Sequence, residues 1–160
     1  ESEFRELITA AGVPSEFILN FSNEQVYIQE NDSLESIQKI VRNALLKHPA
    51  IAESWTKDEI REASEPFALM RKNGSDKRSG QVFYSLYPGS IAYYKTGTTH
   101  GSGYTYDTHV PIIFFGGIFH SPENHNERIN VKDIAPTLSH ILKIAQPSAS
   151  NGKILPLKFN

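Results

Sequence analysis

The chain contains no cysteine in 160 residues, which excludes disulfides, thiolate zinc sites and a cysteine nucleophile. Any metal must therefore be held by His, Asp, Glu or hydroxyl oxygens. An excess of one charge is also lacking: 16 Lys and Arg against 18 Asp and Glu give a formal net charge of −2. That balance leaves little to neutralise the phosphates of a nucleic acid and no polybasic patch for anionic lipid, so neither partner is expected. No apolar run approaches the ~20 residues that cross a bilayer. The opening Glu1-Ser2-Glu3-Phe4 resembles no signal peptide and has no initiator Met, so a processed or excised segment is expected. What remains, with 39% hydrophobic and 21% charged residues, suits a globular chain. Its length allows one domain, or a small lobe plus part of another.

Hydrophobic spacing divides the chain in two. Phe4, Leu7, Ile8 and Ala11 recur at helical spacing until Gly12-Val13-Pro14. Residues 17–21 and 25–28 are rich in β-formers around the turn Ser22-Asn23-Glu24, which predicts a hairpin. Leu34, Ile37, Ile40, Val41, Ala44 and Leu45 share one helical face, with Asp32 and Glu35 as a capping pair. A strand is expected over 50–55, and Thr56-Lys57-Asp58-Glu59 has the form of a capping box, with Trp55 and Ile60 as its hydrophobic staple. A further helical turn is expected over 66–71, a strand over 81–87, and a return strand over 90–94 after Pro88-Gly89. This order predicts an α+β lobe with a mostly antiparallel sheet and helices on one face.

After Tyr94 the texture changes. Pro111-Ile112-Ile113-Phe114-Phe115 reads as a strand buried on both faces, and Val131, Ile134, Leu138, Ile141 and Leu142 mark a helix with Asn130 as a possible cap. Pro136 places the start of the regular helix, or a kink, near itself. Residues 154–159 are expected to be a final edge strand, since Pro156 cannot donate to a central ladder.

Chemistry concentrates between the two halves, in Thr98-Thr99-His100-Gly101-Ser102 followed by Tyr106-Asp107-Thr108-His109. Two imidazoles and a carboxylate within ten residues could form part of a zinc shell. Their spacing is not that of one helical face, so equally each His could order the loop by bonding backbone. Ser102, Thr98 and Thr99 are hydroxyls near a His, but a loop entering a strand is not a nucleophile elbow. Gly97, Gly101 and Gly103 could cradle a phosphate, yet no helix is expected to follow them and supply its dipole. His48 is expected to complete a helix end, His120 and His125 to be solvated, and His140 to lie on the surface. The Tyr-rich segments, without basic partners, read as packing rather than as a stacking platform for bases.

The loop, together with Val110-Pro111-Ile112-Ile113-Phe114, resembles the C-terminal part of alkaline phosphatase superfamily enzymes. It most resembles the phosphate-irrepressible alkaline phosphatases, related to nucleotide pyrophosphatase/phosphodiesterases. Asp133-Ile134-Ala135-Pro136-Thr137-Leu138 is similar to a string shared by phosphatases and sulfatases of that superfamily. Arg78-Ser79-Gly80-Gln81-Val82 resembles an Arg-Ser-Gly-Asp-Val segment, with Gln81 in place of Asp.

The resemblance implies a two-zinc hydrolase of phosphate esters with a Thr or Ser nucleophile, periplasmic or secreted. It implies that His100 is a zinc ligand, His109 a second choice, and Asp107 a residue that orients an imidazole or a tyrosine hydroxyl. It also exposes a departure. No Asp-His pair and no nucleophile context is present, and one His cannot hold two zinc ions.

The expected organisation is accordingly an α/β chain in two parts. Residues 1–95 form an inserted α+β lobe, and 96–160 form the C-terminal segment of an alkaline phosphatase-like α/β core, inactive in isolation. Two alternatives stay open: a non-catalytic interaction module, and a piece of a sulfatase.

Overall fold

The hairpin signal around Asn23 closes as expected: β1 (Ile18–Ser22) and β2 (Gln25–Ile28) pair antiparallel. Asn23 and Glu24 both adopt positive φ, the geometry whose twist matches a two-residue hairpin turn. The computed structural model describes residues 1–62, 77–91, 100–119 and 121–158. Within it the chain packs as two compact units, Glu1–Val110 and Pro111–Asn160.

In the first unit, α1 (Ser2–Ala10) precedes the hairpin, and α2 (Leu34–Leu45), β3 (Ile51–Thr56), α3 (Lys57–Glu62) and β4 (Val82–Leu86) follow it. The sheet is antiparallel throughout, in the order β1-β2-β4-β3. Side chains alternate across it. Val82 and Tyr84 join Val26, Phe21 and Ile51 beneath Phe4 and Ile8 of α1 and Ile37, Val41 and Leu45 of α2. Phe83, between them, points the other way into a second cluster with Trp55 and Ile60 of α3. The helices therefore do not all lie on one face, which corrects the expected lobe; the reason is the Trp55–Ile60 staple, which turns α3 onto the Phe83 side.

The capping box forms as expected: the Thr56 amide donates to Glu59 Oε2 at 2.7 Å and the Glu59 amide to Thr56 Oγ1 at 3.3 Å. At α2 the cap differs. Asn31 Oδ1 accepts the Ser33 amide at 2.8 Å, so an Asx turn before the helix supplants the expected Asp32–Glu35 pair. Both sheet edges are blunted by arginine. Arg5 Nη1 donates to Ile18 O on β1 at 2.9 Å, and Arg42 Nε donates to Ser54 O on β3 at 3.1 Å. Each occupies a carbonyl that another chain's strand would otherwise recruit.

The motif around Gly80 is structural. The Gln81 amide donates to Val26 O at 2.9 Å, its carbonyl accepts the Lys57 amide at 3.0 Å, and its side-chain Oε1 accepts the Ile28 amide at 2.7 Å. Gln81 thereby lengthens the β2–β4 pairing, whose regular register is only Gln25↔Phe83 and Val26↔Val82. Of the return strand expected over 90–94, Ser90 and Ile91 are not in a strand and the rest lies outside the described residues, as does the turn expected over 66–71.

The first unit also holds a single helical turn, α4 (Thr105–Thr108), and in the second unit a 3-10 turn (Val131–Asp133) leads into α5 (Ile134–Leu142). Pro136 falls in the first turn of α5, where its missing amide would have had no helical partner, so no kink is needed. The Asp133-to-Thr137 string is a clamp. Asp133 Oδ2 accepts the Asn130 amide at 2.9 Å and Oδ1 the Lys153 amide at 2.8 Å, while Thr137 Oγ1 accepts the Leu155 amide at 3.0 Å and donates to Asp133 O at 2.6 Å.

The Lys153 and Asn130 amides hold the Asp133 carboxyl below the usual aspartate range. A carboxyl depressed on folding binds fewer protons in the native state, so its contribution is complete above the unfolded value of about 3.9 and is lost as pH falls through the lower native value. Acid titration followed by exchange of the Lys153 amide is therefore expected to release 151–155 below about pH 4. In Asp133→Asn that release should lose its pH dependence; persistence of the transition in Asn would assign it to another group.

Two expected strands do not form. Residues 154–158 are held by the clamp rather than by a sheet, and Phe159 lies outside the described residues. Residues 111–115 have no strand partner among the described residues, Ile113 and Phe115 being 83% and 100% exposed. α5 is inverted in the same sense. Its polar Thr137 and Ser139 are buried, while Leu138 and Leu142 of the apolar stripe face outward.

Candidate functional site

Residues 100–109 belong to the first unit and are held by bonds within the segment and to the exit of β4. Gly101 takes φ +120°, a conformation open to glycine but strained for other residues. Ser102 then folds back onto Asp107: its amide and hydroxyl both donate to Asp107 Oδ2, at 2.9 and 2.5 Å. Residues Thr105–Thr108 form a single helical turn, α4, capped by the His109 amide donating to Thr105 O at 2.8 Å. A helical turn does therefore follow the glycines, contrary to expectation, but at four residues it has almost no dipole to offer an anion.

Two tyrosines anchor the loop to the exit of β4. Tyr104 OH donates to Leu86 O at 2.9 Å, and the Gly89 amide donates to Tyr106 OH at 3.2 Å. The two rings stack with centroids 5.6 Å apart and planes 19° from parallel. Burial pushes the Tyr104 phenol above its ordinary value. The Ser102 hydroxyl first, and then its amide, hold the Asp107 carboxyl below the usual range, and a positive charge on His100 acts in the same direction.

His100 and His109 are both exposed, at opposite ends of this loop. The Asp107 carboxylate accepts bonds from Ser102 and from the Gly101 backbone. Thr98, Thr99 and Gly97 lie outside the described residues. Among the described residues no group of three or more His, Asp or Glu is gathered tightly enough to hold a metal ion. The donors among the described residues do not make up a zinc pair.

The other histidines divide. His48 is largely buried: it meets Phe4 edge-on at 4.8 Å, its Nδ1 accepts the Ala50 amide at 3.1 Å, and its Nε2 lies 3.2 Å from Glu3. It is a packing residue as much as a helix end. His125 pairs with Glu123 at 3.2 Å rather than being merely solvated, and Glu123 also receives Lys158 at 2.9 Å. His140 is exposed, as expected. The role of Ser102 as the partner of Asp107 was not legible in the sequence, because a five-residue spacing closes only when a turn intervenes.

No family model matches the chain. Three curated relatives do. Alkaline phosphatase PafA of Elizabethkingia meningoseptica is 37% identical over 141 residues, covering 82% of this chain and 26% of the relative. Alkaline phosphatase PhoV of Synechococcus elongatus is 40% identical over 80 residues, 49% of this chain and 14% of the relative. A protein named calcium-transporting ATPase from Myroides odoratus is 33% identical over 150 residues, 86% and 27%. The crystal structure of wild-type alkaline phosphatase PafA superposes with a TM-score of 0.82 and 30% identity, covering 99% of this chain and 32% of that one. The chain thus spans about a third or less of each protein it matches. Two of these relatives and the superposed structure are alkaline phosphatases, and the chain belongs to the alkaline phosphatase superfamily.

Proposed function

We propose that this chain is the C-terminal portion of a zinc-dependent phosphate-ester hydrolase, and that it supplies one metal ligand, His100, rather than a complete centre. The observation that carries this reading is the inverted second unit. Phe115, Ile113, Leu142 and Ile144 are exposed while Thr137 and Ser139 are buried, an arrangement expected of a core layer whose covering elements belong to the rest of a larger protein. The superposition on 32% of the PafA crystal structure supports this reading.

His109, at the other end of the loop, is the second candidate ligand, and Asp107 acts through Ser102 to fix the backbone beside His100. The nucleophile and the remaining metal donors come from residues outside this chain. The substrate is a phosphate ester, and the location is periplasmic or secreted. No helix among the described residues is long and apolar enough to cross a membrane.

The test is metal content and turnover. The chain alone, supplied with zinc, is expected to leave p-nitrophenyl phosphate intact; robust hydrolysis would contradict a partial site. In a longer polypeptide carrying this segment, His100→Ala is expected to lose bound zinc and phosphate-ester hydrolysis together, with the fold retained by circular dichroism. Unchanged zinc content would remove His100 from the centre. The interaction-module and sulfatase alternatives predict no zinc-dependent phosphate release at all.

A further inference from the structure

We infer that Tyr104 is a positioning residue for His100: it ties the loop carrying this imidazole to the end of β4, so that the sheet of the first unit sets where His100 stands. On β4 the Tyr84 amide donates to Glu24 O at 3.0 Å, toward the β1–β2 hairpin. Backbone polar groups alternate between the two edges of a strand, so Leu86, two residues on, presents its own to that same edge. The hairpin has already turned at Asn23 and Glu24 and offers nothing further along β4. Among the described residues no strand stands beside Leu86 O there, and Tyr104 OH donates to it at 2.9 Å.

From Tyr104 the connection to His100 is continuous. The Tyr104 carbonyl accepts the Asp107 and Thr108 amides, both at 3.0 Å, and so opens α4. The Asp107 carboxylate accepts in turn from the Ser102 amide and hydroxyl and from the Gly101 backbone, the two residues that follow His100. The other end of the chain of bonds is fixed. Leu86 pairs with Ile51 of β3 and packs on the core beneath α1 and α2. A tyrosine that only filled space would not need this acceptor, since its ring already stacks on Tyr106. What His100 does once placed rests on the hydrolase reading above. Its placement by β4 does not.

The experiment uses this chain and follows the His100 imidazole resonances by NMR at one fixed pH, together with amide exchange. Tyr104→Phe keeps the ring and removes the hydroxyl. It is expected to move the His100 resonances and to speed exchange at Ser102 and Asp107 about fivefold, with Val26 and Val82 unchanged. A residue that merely packed the loop would leave the imidazole unmoved. Asp107→Asn is expected to move the same resonances, and adding Tyr104→Phe to it to move them little further, because the two act in series. Unmoved His100 resonances in Tyr104→Phe, full additivity in the double variant, or an equal rise in exchange at Val26 and Val82 would each overturn the inference. Unchanged zinc content in His100→Ala of the longer polypeptide would instead overturn the hydrolase reading and leave the anchor standing.

Discussion

Gly80→Ala is expected to destabilise the first unit by about 2–3 kcal/mol. A Cβ at this position would lie 2.7 Å from Val26 O and 3.0 Å from Gln25 Cβ. The carbonyl cannot swing aside as a flexible side chain could, because it accepts the Gln81 amide. Nor can the segment simply step away. The Gly80 amide donates to Gln25 Oε1 at 2.8 Å, and the next residue holds Ile28. This seam joins the β1–β2 hairpin to β4 and β3, and its regular pairing is two residues long. Opening it exposes Val26 and Val82, both fully buried. Urea denaturation followed by the fluorescence of Trp55, the only tryptophan, reads this unit. A midpoint unchanged from the parent would mean the seam relaxes freely and that the motif has some role other than close backbone approach.

The first unit was largely legible because its signals are local. The α2 stripe, the Thr56–Glu59 box and the turn before Gln25 each specify geometry within a few residues, and each formed. The sheet order and the side taken by α3 were not legible. They depend on Phe83 and Trp55 meeting across 28 residues of sequence, and the hydrophobic period says only that alternate residues of β4 face opposite ways.

The second unit was misread for a different reason. The run at 111–115 carries the composition of a buried strand, but a strand needs neighbours to satisfy its amides, and none lies among the described residues of this unit. At α5 the apolar stripe was identified correctly, yet the face that is buried here is the one bearing Thr137 and Ser139. Composition reports the environment a segment is built for, and the described residues around 111–115 do not provide it. The loop at 100–109 lies between these cases. The residue types that could do chemistry were evident, whereas the Ser102–Asp107 closure depends on an intervening turn and the tyrosine anchors reach back 17 and 18 residues to the exit of β4.

Gly152→Ala is expected to have the larger local effect, about 3 kcal/mol or more at the C-terminal clamp. The added Cβ would fall 2.1 Å from Lys132 O, 2.6 Å from its carbonyl carbon and 2.9 Å from Asp133 Cα. All three are backbone, so no rotamer change relieves them. The residue that follows, Lys153, donates to Asp133, and Leu155 donates to Thr137, so moving the chain outward at 152 breaks both bonds. Breaking them leaves the buried Thr137 hydroxyl with one bond fewer and uncovers Leu155. Amide exchange at Lys153 and Leu155 should accelerate far more than at Val26 or Val82 in the first unit. Gly117→Ala provides the control, since a Cβ there would meet nothing within 4 Å. If both alanines left exchange at 153 and 155 unchanged, the clamp could not be what holds this segment, and the Asp133-to-Thr137 string would need a role outside the fold.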